Sequence, residues 1–203
     1  MIDHQLRTTK DRLAGPAARV ITYRIGAGRL TLLSFCAGVG GGVAAGFGLR
    51  WQAVVLWLLG RVLDGLDGAV AREGGRQSDL GGYLDMMADT ISYAAVPIGI
   101  ATAQANIGTW SWCAVLLATF YANTMSWTFL AAIAEKRGVG AGATGERTTI
   151  HMPAGLVEGA ETIVLFVLML SFPDQATWWF AAMAGLVGIT VIQRIVWAIR
   201  NLR

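Results

Sequence analysis

Four aspartates stand in two closely spaced pairs in the first half of the chain. Asp64 and Asp67 lie three residues apart, and Asp85 and Asp89 lie four residues apart. In an α-helix, side chains at either spacing share one face. Carboxylate oxygens suit hard divalent cations such as Mg²⁺, which commonly bind substrate phosphates as well. The two pairs therefore predict a metal-assisted site for phosphoryl chemistry.

Both pairs fall inside segments that are apolar enough to cross a bilayer. Asp64 lies eight residues before Arg72, and Asp89 lies eight residues after Gly81. The carboxylates of Asp64 and Asp89 therefore lie about 12 Å along their helices from Arg72 and Gly81, at about 1.5 Å per residue. If the two helices are antiparallel neighbours joined by a short loop, all four carboxylates converge below one membrane surface. Four ionised carboxylates there need compensation, which two divalent ions would supply while clamping a diphosphate.

The composition places these pairs in a membrane protein. Of 203 residues, 55% are hydrophobic and 14% are charged, whereas soluble domains carry about 25% charged residues. The sequence predicts an all-α integral membrane fold. Its six transmembrane helices are expected at Leu30–Leu49, Trp51–Ala71, Tyr83–Gln104, Trp110–Ala134, Ala154–Phe172 and Ala176–Ala198.

The division of the chain and its orientation follow from charge. Residues 1–28 are predicted to form a juxtamembrane amphipathic segment, and residues 29–203 the membrane domain. Basic residues cluster on the side that holds both termini, which predicts cytosolic termini and an active site facing the cytosol. They form no stripe suited to nucleic acid. Five tryptophans mark the opposite interface: Trp51, Trp110, Trp112, Trp178 and Trp179.

The other charged residues within or beside the spans have either a structural or a functional interpretation. Arg61 lies three residues before Asp64, which favours an intrahelical charge pair over a direct catalytic role. Glu158 and Glu161 are interpreted as partners of Arg194, with acceptor binding as the alternative. Arg147 and Arg194 together are candidates for binding a phosphorylated acceptor, because arginine donates two parallel hydrogen bonds to phosphate.

The aspartates belong to a longer pattern, Asp-x-x-Asp-Gly-x-x-Ala-Arg, eight residues, then Gly-x-x-x-Asp-x-x-x-Asp. This pattern resembles the signature of the CDP-alcohol phosphotransferase family. All eight of its fixed positions are matched within 26 residues: Asp64, Asp67, Gly68, Ala71, Arg72, Gly81, Asp85 and Asp89. One departure precedes the first span, where Ala27-Gly28 replace a Pro-Asn pair found in many relatives, although Leu30-Thr31 are retained.

The resemblance implies a function in phospholipid biosynthesis. Such enzymes are six-helix membrane transferases, usually homodimers, that move a phosphatidyl group from CDP-diacylglycerol to a small alcohol and release CMP. By resemblance, all four aspartates bind two Mg²⁺ or Mn²⁺ ions, and Asp89 is also the base. The CDP moiety is expected to contact five residues: Thr31, Gly68, Ala71, Arg72 and Gly81.

Two other functional classes compete with a transferase. A membrane cation transporter would use the aspartates as an ion site, but spans four to six hold no second aspartate cluster. A catalytically silent scaffold would not need all four acids. The acceptor is left open among glycerol 3-phosphate, inositol phosphate, inositol and serine, and Arg147 and Arg194 favour the two phosphate esters.

Overall fold

The computed structural model describes residues 26–75, 77–138 and 159–202, and these form six α-helices and no strand. In chain order the helices are α1 (Ala27–Gly46), α2 (Arg50–Glu73), α3 (Asp79–Gln104), α4 (Ile107–Lys136), α5 (Gly159–Ser171) and α6 (Ala176–Asn201). The short 3₁₀ helix Pro173–Gln175 precedes α6. The predicted all-α, six-helix architecture is confirmed. Residues 1–25 of the predicted amphipathic segment, Arg147 and Glu158 lie outside the described residues, and residues 27–28 belong to α1.

Three of the described helices are long and apolar enough to cross a membrane by length and composition alone. They are α1, α4 and α6, the last counted together with its 3₁₀ turn. Helices α2 and α3 carry the aspartate pairs, whose charges lower their mean hydropathy. The described part of α5 is shorter, beginning at Gly159. The charged residues of α2 and α3 therefore lower the hydropathy by which a membrane-spanning helix is recognised.

Helix α1 packs against both α2 and α3 through glycines. A Cβ atom on Gly42 would lie 2.5 Å from the backbone oxygen of Ala95 in α3, and one on Gly41 would lie 3.3 Å from that of Ala53 in α2. Small residues allow helix backbones to approach this closely in membranes. By contrast, α2 and α3 make few close backbone contacts with each other. Helices α2 and α3, which were predicted to be direct neighbours, are thus held together mainly by α1. Side chains bridge the space between them.

Helices α4 and α6 lie side by side in parallel. The Thr109 and Thr177 hydroxyls are 2.9 Å apart near the start of both helices. At the other end, Arg137 donates from Nη2 to the backbone oxygen of Leu202 at 2.7 Å. A cationic donor on the last carbonyls stabilises a helix end. Arg137 therefore caps α6 from the end of α4.

Aromatic side chains join the two halves of the fold. Trp57 of α2 stacks on Phe166 of α5 with ring centroids 4.7 Å apart. Tyr93 of α3 meets both rings edge-on, at 5.3 Å from Trp57 and 5.4 Å from Phe166. Trp57 and Phe166 are fully buried. This aromatic cluster borders the polar residues of α2, because Arg61 lies one helical turn beyond Trp57.

Candidate functional site

Three aspartates form a compact carboxylate group between α2 and α3. One oxygen each from Asp64, Asp67 and Asp85 lies within 4.8 Å of the others. Asp67 is buried, with 5% of its surface exposed, and the other two are partly buried. Three hard oxygen donors at this spacing fit a divalent cation such as Mg²⁺ or Mn²⁺. The structure therefore brings together three of the four sequence-predicted ligands.

Thr31 of α1 contacts this carboxylate group directly. Its hydroxyl lies 2.7 Å from Asp67 Oδ2 and 3.2 Å from the backbone oxygen of Ala27. The shorter distance makes Asp67 its principal acceptor. A hydrogen bond to the charged form helps to hold a buried carboxylate in place. This contact was not predicted from the sequence, because Thr31 and Asp67 are 36 positions apart and no local pattern links them.

Asp89 occupies a different environment from the other three aspartates. Arg61 Nη1 donates to its Oδ1 at 2.6 Å, whereas the distance from Arg61 to Asp64 is 3.9 Å. The sequence spacing favoured Asp64 as the partner of Arg61. The structure makes Asp89, on the neighbouring helix, the closer one. A salt bridge therefore crosses from α2 to α3 beside the carboxylate group.

The guanidinium of Arg61 is enclosed by aromatic rings. Its central carbon lies 4.8 Å from the ring centroid of Trp57 and 5.0 Å from that of Tyr93. The residue is only 7% exposed. Its Nε and Nη2 atoms have no hydrogen-bond partner among the described residues. Cation–π contacts compensate part of the cost of burying the charge.

Apart from Thr31 on α1, the residues predicted to contact CDP lie in the end of α2 and the start of α3. Arg72 and Gly81 are exposed, and Gly68 and Ala71 are partly buried. A Cβ atom on Gly68 would lie 3.2 Å from Arg72 Nη1, so glycine leaves room for the guanidinium. The amide of Gly81 donates to the Ser78 hydroxyl at 3.1 Å and caps α3. All four lie between Asp67 and Asp85 in the chain.

Arg194 lies on the other helix pair. It is buried in α6, and its Nη1 donates to Asn123 Oδ1 of α4 at 2.6 Å. This contact was not predicted from the sequence, because residues on different spans give no local signal of their proximity. The predicted association of Arg194 with Arg147 involves a residue outside the described ranges. Arg194 as an acceptor-binding residue stays a prediction.

Comparison with known proteins gives consistent matches. A family model described as CDP-alcohol phosphatidyltransferase matches residues 25–192. The inner membrane protein YnjF of Escherichia coli is 37% identical over 161 residues, which cover 78% of this chain and 74% of YnjF. A CDP-diacylglycerol–serine O-phosphatidyltransferase of Mycobacterium leprae is 35% identical over 103 residues, covering 49% of this chain and 33% of that protein. The match thus spans about a third of the serine transferase.

A solved structure shares the fold. The phosphatidylinositol phosphate synthase PgsA1 of Mycobacterium tuberculosis, in a crystal structure with CDP-DAG bound, superimposes with a TM-score of 0.69. The identity is 24%, and the alignment covers 91% of this chain and 92% of PgsA1. The same protein has also been solved in complex with manganese and citrate. At this identity the likeness shows the fold.

Proposed function

The chain belongs to the CDP-alcohol phosphatidyltransferase family, and from this membership we propose that it transfers a phosphatidyl group from CDP-diacylglycerol to a small polar alcohol. The observation that carries the proposal is the group of three carboxylates within 4.8 Å of one another. Asp64, Asp67 and Asp85 would hold the divalent metal. Manganese in the PgsA1 complex supports Mn²⁺ or Mg²⁺ as the ion. The cation-transporter alternative has no support from the comparisons.

The chemistry divides among the residues of α2 and α3. A divalent ion at the three aspartates would neutralise the diphosphate and stabilise charge on the departing CMP. Asp89 accepts the proton of the acceptor hydroxyl. The hydroxyl oxygen then forms a bond to the phosphorus that bears diacylglycerol, and the bond from that phosphorus to CMP breaks. Arg72 at the end of α2 donates hydrogen bonds to phosphate oxygens. Asp89 as an additional metal ligand stays a prediction.

A direct assay tests this function. Purified protein is expected to release CMP from CDP-diacylglycerol only when an alcohol and Mg²⁺ or Mn²⁺ are both present. The panel of alcohols comprises glycerol 3-phosphate, inositol phosphate, inositol and serine. Release that needs no alcohol would indicate a hydrolase. Metal-dependent ion flux into vesicles without any CMP release would revive the transporter interpretation.

For the acceptor, we propose a phosphate ester of an alcohol, bound by Arg147 and Arg194. Arg194→Ala is expected to raise the acceptor KM about tenfold or more, because hydrogen bonds to charged groups contribute about 1.5–3 kcal/mol. The KM for CDP-diacylglycerol should change little. The matched control is Arg200→Ala, which removes an exposed arginine from the same helix.

Two outcomes would contradict the proposed acceptor. Turnover with serine or free inositol, and none with either phosphate ester, would exclude a phosphate-binding role for the two arginines. Loss of thermal stability in Arg194→Ala with an unchanged acceptor KM would instead assign Arg194 to packing between α4 and α6. The serine transferase among the relatives makes serine the competitor that must be included.

For location, we propose an inner-membrane protein with both termini and the site on the cytosolic side, which is supported by the clustering of basic residues and by the name of the YnjF relative. In a background lacking Cys36 and Cys113, single cysteines at Gly74 and Gly140 should react with impermeant reagent from the cytosolic side. A cysteine at Gln175 should react from outside. Labelling of Gly140 from outside would overturn the six-span topology. The homodimer expected from the family resemblance stays a prediction.

A further inference from the structure

Asn123 is a polar residue on the inward face of α4. It lies near the middle of the helix, at helical spacing from Leu116, Trp127 and Leu130, which are all buried. On the neighbouring helix α6, Arg194 is buried as well, with 7% of its surface exposed. Polar and charged side chains that face the interior of a membrane bundle are costly to bury and commonly mark binding sites. Asn123 and Arg194 are therefore candidates for a binding element between α4 and α6.

The contact between these two side chains has a defined orientation. Arg194 Nη1 donates to Asn123 Oδ1 at 2.6 Å. Because a guanidinium has donors and no acceptor, the amide of Asn123 presents its oxygen to Arg194 and holds its NH₂ group away from it. Only one of the several N–H donors of the guanidinium takes part in this contact. Asn123 thus orients the cation without bringing a negative charge to it.

Polar contacts at both ends already align α4 with α6. The Thr109 and Thr177 hydroxyls lie 2.9 Å apart at one end, and Arg137 Nη2 donates to the backbone oxygen of Leu202 at 2.7 Å at the other. A guanidinium buried between these ends is costly to remove from water, and an apolar pair of similar size would pack there at lower cost. A binding role accounts for this buried charge better than helix alignment does.

The contact made by Asn123 is level with Asp89, the proposed base. Tyr93 of α3 and Phe120 of α4 both lie against Phe166, with ring centroids 5.4 Å and 6.3 Å from it. Because α3 ends at residue 104 and α4 begins at residue 107, the two helices are antiparallel. Asp89 lies one turn before Tyr93, and Asn123 lies one turn after Phe120. In antiparallel helices these two steps lead in the same direction.

We propose that Asn123 is a positioning residue that orients the Arg194 guanidinium towards the phosphate group of the acceptor, and that its lack of charge is what suits this position to a phosphate ester. This inference rests on the proposed function, and on its acceptor, for the identity of the ligand. A carboxylate at position 123 would bind the same guanidinium more strongly and would repel the phosphate, whereas an amide oxygen does neither. Arg194 makes other contacts as well, and Asn123 need not be its only partner.

Asn123→Asp separates this role from helix packing. The variant keeps an oxygen for Arg194, so the link between α4 and α6 should persist, with a melting temperature close to that of wild type. The KM for glycerol 3-phosphate or inositol phosphate should nevertheless rise at least about tenfold, while the KM for CDP-diacylglycerol changes by less than about threefold. Asn123→Leu is similar in size but lacks the oxygen, and should raise the acceptor KM about threefold.

Asn106→Asp is the matched control, because it makes the same substitution on the same helix at an exposed position. Asn106 Oδ1 accepts a hydrogen bond from the amide of Gly108 at 2.8 Å at the start of α4. Aspartate caps a helix as well as asparagine does, so this variant should leave both KM values unchanged. When Arg194→Ala is already present, Asn123→Asp should raise the acceptor KM no more than about threefold, since residues that act through each other are not additive.

Inorganic phosphate tests the site without relying on turnover. It is titrated into the purified full chain in EDTA, so that no divalent ion at the aspartates can bind it, and thermal unfolding is followed. The melting temperature of wild type should rise to a plateau, because a ligand that binds only the folded state stabilises it. The phosphate concentration that gives half of this rise should be at least about tenfold higher in Asn123→Asp. Chloride at equal ionic strength should produce no such rise.

Three results would overturn the proposal. They are an unchanged acceptor KM and phosphate titration in Asn123→Asp, a wild type whose melting temperature does not respond to phosphate, and a larger effect of Asn123→Leu than of Asn123→Asp. Should Asn123→Asp fail to fold, an unchanged phosphate titration in Asn123→Leu overturns it equally. If wild type releases no CMP with any acceptor, the proposed function fails, while the phosphate titration still decides whether Asn123 prepares Arg194 for an anion.

Discussion

Asp67→Asn is expected to abolish CMP release, lowering kcat/KM by about 1000-fold or more, because the carboxylate group would lose one of three negative charges that hold the metal. The same result is expected for Asp85→Asn. Asparagine keeps the size of aspartate. It also keeps an oxygen that can accept a hydrogen bond from the Thr31 hydroxyl, which lies 2.7 Å from Asp67 Oδ2. The fold should therefore survive, with a melting temperature close to that of wild type. The variants should lose Mn²⁺ binding in parallel with activity.

Asp79→Asn is the matched control for this experiment. Asp79 lies in the first turn of α3, on the same helix as Asp85, but it is exposed and stands outside the carboxylate group. Its substitution should leave turnover unchanged and affect stability only through the helix dipole, by about 0.3–1 kcal/mol. Full activity in either Asp67→Asn or Asp85→Asn would mean that the three carboxylates do not hold the metal.

Helix periodicity explains why much of the site could be predicted. Asp64 and Asp67 share a helical face at a spacing of three. Asp85, four residues after Gly81, lies at a depth close to that of Asp67, which is five residues before Arg72. Local spacing and span length predicted that all four carboxylates converge, and the structure groups three of them. The glycines of α1 are a further local feature of the sequence, and Gly42 packs closely against the backbone of Ala95. These features depend on regularities that a sequence records directly.

The contacts that could not be predicted are those between distant helices. Arg61 was paired with Asp64 because both lie on one helix, yet α1 positions α2 and α3 so that Asp89 is the closer partner. Rotation of each helix about its axis decides such contacts, and it depends on packing by all neighbours. Thr31 and Asp67 meet for the same reason. A single sequence carries no direct signal of either pair.

Asp89→Asn is expected to lower kcat about 10²–10⁴-fold, the usual contribution of a general base, while changing the KM for CDP-diacylglycerol by less than about threefold. The reason is that the base acts on the acceptor, whereas the donor lipid is held by other groups. Asparagine retains an oxygen for Arg61, which lies 2.6 Å from Asp89 Oδ1, so the link between α2 and α3 can persist. Single-turnover measurement of CMP formation separates this chemical step from binding and product release.

Comparison of Asp89→Asn with Asp67→Asn distinguishes a general base from a metal ligand. Loss of a metal ligand should weaken Mn²⁺ binding and turnover together, whereas loss of the base should reduce turnover and leave Mn²⁺ binding within about threefold of wild type, because a paired carboxylate contributes little to the metal. Equal loss of Mn²⁺ affinity in both variants would make Asp89 a full metal ligand. Loss of CDP-diacylglycerol affinity alone, with kcat retained, would place the base elsewhere. The salt bridge to Arg61 favours a role for Asp89 that differs from that of Asp67, because Asp89 Oδ1 lies 2.6 Å from Arg61 Nη1 and Asp89 is outside the compact group of three aspartates.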